Sequence, residues 1–318
     1  MDAATQRAMA GFGAATPDGP AGLAVRGYLA EQSRAFLTHS ALPVQQPAAV
    51  RLRAACLRVG TALAACRDLV DAVWADELGR ELRSTAVVLG AERDADAVRP
   101  RLLAPLDRWI AEGRYPDGGA ARTRTLLTRM LDRERSAAHS QATAALVGPA
   151  FHALADRMAT LARDVPLTPV ADQPCRQVLP EVAEGAYEEF ARRVRELPEP
   201  LAAEDPAGDA AWLAADDAGQ AALHTAELCR PAGTLIAGDD PADLVARLAR
   251  LAEALGEQRD AVLAAACVHR AADTPRIAAT TGYVLGRLHE EQRLAVIRAR
   301  STAPLAGQPA GRERSAHS

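Results

Sequence analysis

No lysine occurs anywhere in the 318 residues; all 37 basic side chains are arginine. That excludes Schiff-base catalysis and a phosphate-loop lysine, both of which need a primary amine. Aromatic residues are scarce too, 3% of the chain against 49% hydrophobic residues overall. A core must therefore come from Leu, Ala and Val, which suits close-packed helices better than sheets. The Ala- and Arg-rich composition fits a GC-rich bacterial genome. The five cysteines (Cys56, Cys66, Cys175, Cys229 and Cys267) form no C-x-x-C and have no His at ligand spacing. Buried reduced thiols are expected, rather than disulfides or a zinc site. No apolar run approaches the ~20 residues of a membrane span, and the N-terminus lacks the apolar core of a signal peptide. The expectation is a soluble cytoplasmic protein that does not engage a membrane.

Catalytic signatures are missing as well. There is no G-x-G-x-x-G and no G-x-S-x-G, and His289-Glu290-Glu291 is followed at the second-histidine position of H-E-x-x-H by Arg293. His139, His152, His224, His269 and His289 each stand apart from any recurrent metal spacing. No catalytic residue, no metal and no cofactor is expected, and the protein is read as a non-enzyme. A net charge of −4 argues against a nucleic-acid partner.

What the sequence does hold is a sentence said twice. Leu82, Ala86, Leu89, Gly90, Arg93, Asp94 and Ala95 return 166 positions later as Leu248, Ala252, Leu255, Gly256, Arg259, Asp260 and Ala261. Apolar residues in both stretches recur near helical spacing, so two copies of one helical unit are expected, with Leu82, Leu89, Leu248, Leu251 and Leu255 in the core. The fold class is all-α, as two similar, pseudo-symmetric helical bundles. Helices are predicted over about 20–38, 47–73, 75–98, 101–112, then a polar arginine-rich segment after Tyr115, and 148–164. In the second half they are predicted near 174–197, 207–229, 241–272 and 274–299, with Asp240-Pro241 and Thr274-Pro275 as starts. The Pro-rich stretch DVPLTPVADQP is the expected boundary between halves 20–165 and 174–300, and residues 1–19 and 301–318 are expected to be loose ends. Gly90 and Gly256 are read as close approaches of helices, and the alternation of Arg122, Arg124, Arg129, Arg133 and Arg135 with Asp132 and Glu134 as a solvated face.

LRSTAVVLGAERDADAVRPRL, LARLAEALGEQRDAV, the lead-in LAEQSRAF and the late TTGYVLGRLHEEQR together resemble the conserved-histidine α-helical domain, CHAD, over about residues 20–300. The resemblance implies a non-enzymatic module of two helical bundles that binds inorganic polyphosphate in a basic channel. It also implies a ladder: a His followed at +3, +7 and +10 by basic residues, with another Arg at +8. On a helix, offsets 0, 3, 7 and 10 share one face, and arginine forks make charge-assisted bonds to phosphate oxygens.

Counting back from Leu89-Gly90, the ladder falls on Val50, Arg53, Leu57 and Gly60, with Arg58 at the extra position. The name-giving His is thus Val50. The second ladder starts at Leu213, at Asp217 or at His224, and no placement supplies more than one cation. Arg93-Asp94 and Arg259-Asp260 read as phosphate contacts or as structural pairs, their coupling to Leu-Gly favouring the latter. Two functions follow. In one the protein is a weakened polyphosphate or polyanion binder using Arg53, Arg58, Arg83, Arg93 and Arg259. In the other it is a degenerate CHAD domain that acts as a structural or protein-interaction module, with an intact CHAD homologue as one candidate partner.

Overall fold

The computed structural model describes residues 15–42, 46–115, 117–198, 206–235 and 240–306. Every element among them is helical apart from two isolated bridges. In chain order the helices are α1 (Ala21–Ser40), α2 (Gln46–Ala65), α3 (Ala72–Ala111), α4 (Gly119–Leu146), α5 (Pro149–Leu161), α6 (Cys175–Arg195), α7 (Pro206–Cys229), α8 (Pro241–Ala272) and α9 (Ala279–Ala306). Short 3₁₀ turns cover Pro169–Asp172 and Arg230–Ala232. None of these helices is long and apolar enough to cross a membrane.

Three boundaries differ from the sequence reading, each for a local reason. The helix expected over 47–73 stops at Ala65, and α3 begins anew at Ala72. Asp71 makes the restart: its Oδ1 accepts the Trp74 amide at 2.9 Å, an N-cap that satisfies one of the first orphan donors. The segments expected as 75–98 and 101–112 are one helix that runs through Pro100 and Pro105. A proline removes the donor for the carbonyl four residues earlier, which for Pro105 is that of Arg101. Gln292 Nε2 donates to this carbonyl at 3.4 Å and replaces the missing backbone bond. The last helix starts at Ala279 rather than at Pro275, after Arg276 takes a positive φ of 60°. Asp240 does cap α8, its Oδ1 accepting the Ala242 amide at 2.7 Å. Of the loose ends expected at 1–19 and 301–318, residues 1–14 and 307–318 lie outside the described residues.

The chain divides into two compact units that do not follow chain order. The first comprises Met1–Val88, Ala144–Arg192 and Ala218–Ala249; the second comprises Leu89–Thr143, Arg193–Asp217 and Arg250–Ser318. In the first unit α1 packs on α2, α5 and the 3₁₀ turn of the Pro-rich stretch, with Phe36 and Phe151 rings 5.6 Å apart. That stretch is tied down: the Thr168 amide donates to Leu69 O at 3.0 Å and the Ala21 amide to Gln173 O at 2.8 Å. Gly22 permits the contact, since a Cβ there would stand 2.6 Å from Leu167 Cδ1.

In the second unit one apolar cluster joins Leu102, Leu106 and Trp109 of α3, Leu127 and Leu131 of α4, Val268 of α8, and Val284, Leu285 and Leu288 of α9. Burying one Leu or Val side chain stabilises by about 1.5–3 kcal/mol, so aliphatic residues suffice without a large aromatic content. The expected core leucines are buried: Leu82 is 0%, Leu89 2%, Leu248 3%, Leu251 6% and Leu255 1% exposed. All five cysteines are buried and free, and burial pushes the Cys56 and Cys66 thiols up to about 12, which removes them from thiolate chemistry. Gly256 does not mark a close approach, because a Cβ built there meets nothing within 4 Å. Gly90 is buried.

Candidate functional site

In the first unit, α2 carries the first-copy ladder. Val50 is exposed, Arg53 and Leu57 are half-buried and Gly60 is buried. Arg58 turns to α7, where its Nε donates to Glu227 Oε2 at 3.2 Å with both side chains about a third exposed. Tyr28 of α1 belongs to the same group: burial first, and then the charge of Glu227, pushes its hydroxyl pKa up. His224, one turn before Glu227, is 7% exposed. Burial, followed by the charge of Arg58, holds its imidazole down at about 4, so it is neutral at pH 7 and supplies no cation to an anionic ligand. Arg83 on α3 is exposed; the nearby Asp76 carboxyl is lowered chiefly by its hydrogen bond from Arg67, with Arg83 adding the smallest share.

Arg93 and Arg259 belong to the second unit, where the two repeated Arg-Asp elements exchange partners. Arg93 Nη1 of α3 bonds Asp260 Oδ1 at 2.7 Å and its own neighbour Asp94 Oδ1 at 3.0 Å. Arg259 Nη2 of α8 answers with Asp94 Oδ2 at 3.6 Å. Each copy's arginine thus meets the other copy's aspartate, the reciprocal pattern that self-complementary association of like elements produces. Two further carboxylates from α7 close on Arg259 Nη1, Asp217 at 3.6 Å and Asp216 at 3.8 Å. Two guanidiniums therefore face four carboxylates, a group that repels a phosphate chain when fully ionised. Asp216, 4% exposed, is pushed up to about 6 by burial, against the opposing charge of Arg259.

Of the five candidates, the structure brings Arg93 and Arg259 into one cluster through Asp94, and commits Arg58 to Glu227. Arg53 and Arg83 belong to the first compact unit. What sequence reasoning did not give is which arginine each carboxylate meets. Glu227 and Asp217 both fall in one trial register of the second ladder, Asp217, Gln220, His224 and Glu227, and their acidity was the available signal. Among the described residues no group of three or more His, Cys, Asp or Glu side chains could hold a metal ion.

Comparison with known proteins places these features. The family model for the CHAD domain matches residues 27–269. The chain is similar to PptA from Streptomyces chartreusis, with 33% identity and a TM-score of 0.78, over 91% of this chain and all of that one. It has the fold of the crystal structure of the CHAD domain from the plant Ricinus communis, with a TM-score of 0.60 at 18% identity over 93% of this chain and 94% of that one. Among curated proteins nothing matches. The matched span takes in both copies of the Leu-Gly-x-x-Arg-Asp element and the partner-exchanging cluster they build, and on this ground the chain belongs to the CHAD domain family.

Proposed function

We propose that the protein is a non-enzymatic polyanion-binding module whose affinity for inorganic polyphosphate is low. The observation that carries this reading is the pairing of the inherited cations. Arg58 is engaged by Glu227, Arg93 by Asp94 and Asp260, and Arg259 by Asp94, Asp216 and Asp217. A phosphate chain must displace those carboxylates before it can use the guanidiniums, and each charge-assisted bond forgone is worth roughly 1.5–3 kcal/mol in a favourable setting.

Titration calorimetry with long-chain polyphosphate tests this. The expected result is measurable binding at about 20 mM salt that fades near 0.15 M. Tight stoichiometric binding at 0.15 M salt refutes the weakened-affinity reading. The alternative, a CHAD fold kept as a structural or protein-interaction partner, is favoured by Val50, which is 42% exposed where the ladder would begin. Absence of binding at every ionic strength selects it.

A further inference from the structure

The arginines of α4 divide into two classes. Arg124 bonds Asp107, and Arg135 Nε bonds Asp96 at 2.9 Å, so these two tie α4 to α3. The two acids of α4 are also drawn aside: Asp132 to Arg99 at 2.7 Å and Glu134 to Arg270 at 2.9 Å. What remains is Arg122, Arg129 and Arg133, all exposed. None of the three has an ion-pair partner among the described residues; Arg122 Nη2 donates only to neutral oxygens, Asp117 O at 2.8 Å and Thr280 Oγ1 at 2.9 Å.

Helical geometry places the three together. Offsets of 0, 7 and 11 residues fall within about 40° of one another around the axis, and at 1.5 Å rise the arginines follow one another at about 10 Å and 6 Å. Their companions on that face are Thr125, Leu126, Ser136 and Ser140, none of them acidic. The result is a line of guanidiniums roughly 16 Å long, with Asp132 at its edge bonded away to Arg99 at 2.7 Å. A shallow concavity lined by Ala121, Arg122, Thr125, Leu126 and Arg129 lies along it.

We infer that this outer face of α4 is a docking line for a linear phosphate polyanion, and that polyphosphate engages the protein here rather than on the eroded α2 ladder. The inference rests on the polyanion reading above and relocates its site. A chain with oxyanions at every repeat can offer one to each fork whatever its register. The stripe carries no aromatic side chain on which nucleobases would stack, which disfavours single-stranded nucleic acid.

The test is calorimetric titration of the full-length protein with long-chain polyphosphate at about 20 mM salt. The Arg129→Glu/Arg133→Glu variant is compared with a control of equal net charge, Arg34→Glu/Arg163→Glu, which alters exposed residues of the first unit. Thermal melts of both variants check folding. The stripe variant is expected to lose tenfold or more in affinity and to lower the slope of log K against log salt by about 1.4, taking the single-strand coefficient for two lost contacts. Arg129→Lys/Arg133→Lys should retain most binding, and Arg53→Ala should lose less than twofold. Equal losses in stripe and control variants overturn the inference, as does a loss confined to Arg53→Ala, which would leave the proposed function standing. No binding by the unaltered protein overturns both. Equal or tighter binding of an oligothymidylate would overturn the choice of polyphosphate.

Discussion

Asp216 offers the sharpest check on the electrostatics of the repeat cluster. Its carboxyl is 4% exposed and its pKa is pushed up to about 6, burial outweighing the attraction of Arg259 at 3.8 Å. In the unfolded chain the same group titrates near 3.9. Between these values the native state holds a proton that the unfolded state has released, so the slope of unfolding free energy with pH is negative there. Stability associated with this group is thus full below about pH 4 and lost as pH rises through 6. A separation of about two units corresponds to roughly 3 kcal/mol at most. Asp94, Asp217 and Asp260 also face the cluster, so the expected gain is discounted: Asp216→Asn should stabilise by about 1–2 kcal/mol at pH 7.5 and change little at pH 4. Urea denaturation of both proteins at pH 4, 5, 6 and 7.5 reads the difference directly, because titration elsewhere cancels. One opposing group needs its own variant. His224, held down at about 4, contributes stability that is present above its unfolded value near 6.5 and lost as pH falls towards 4, and His224→Gln should remove that dependence. A stability difference between wild type and Asp216→Asn that stays flat across the series would refute the reasoning, as would a variant less stable than wild type at pH 7.5.

Two further outcomes are expected. Arg93→Ala should cost about 2 kcal/mol in urea, because it strips Asp260 of a 2.7 Å partner and Asp94 of a 3.0 Å one in a half-buried site. A double-mutant cycle with Asp260→Ala should return a coupling near 1 kcal/mol, and additive costs would show the pair to be idle. Gly256→Ala should raise stability by roughly 0.5–1 kcal/mol, since a Cβ there meets nothing and the unfolded chain loses freedom; a drop in the melting midpoint would contradict the open space around it.

Much of the fold was legible because its signals are local. Leucines at helical spacing marked the buried faces of α3 and α8, and Asp240 before Pro241 marked the start of α8, where the cap bond is made. The failures share a cause: the deciding partner was remote in sequence. Pro100 read as a helix breaker because nothing nearby announces that Leu102 and Leu106, just beyond it, join an apolar cluster with Leu285 and Leu288 of α9. Arg58 read as a ladder rung because Glu227 lies 169 residues away. The twin Arg-Asp elements announced that they were paired structure, but not that each arginine would reach across to the other's aspartate. Gly256 misled for the opposite reason, since glycine is compatible both with crowding and with open space, and its own identity does not distinguish them.

The second compact unit is drawn from three separated stretches, and its apolar cluster needs side chains from both α3 and α9. During synthesis, Leu102, Leu106 and Trp109 leave the ribosome well before Val284, Leu285 and Leu288 exist to cover them. At about 5–20 residues per second that interval lasts roughly 10–40 s. For that time the part of the leucine and tryptophan face that α9 will cover stays open, long enough to be met by a chaperone or by the same face on a neighbouring nascent chain.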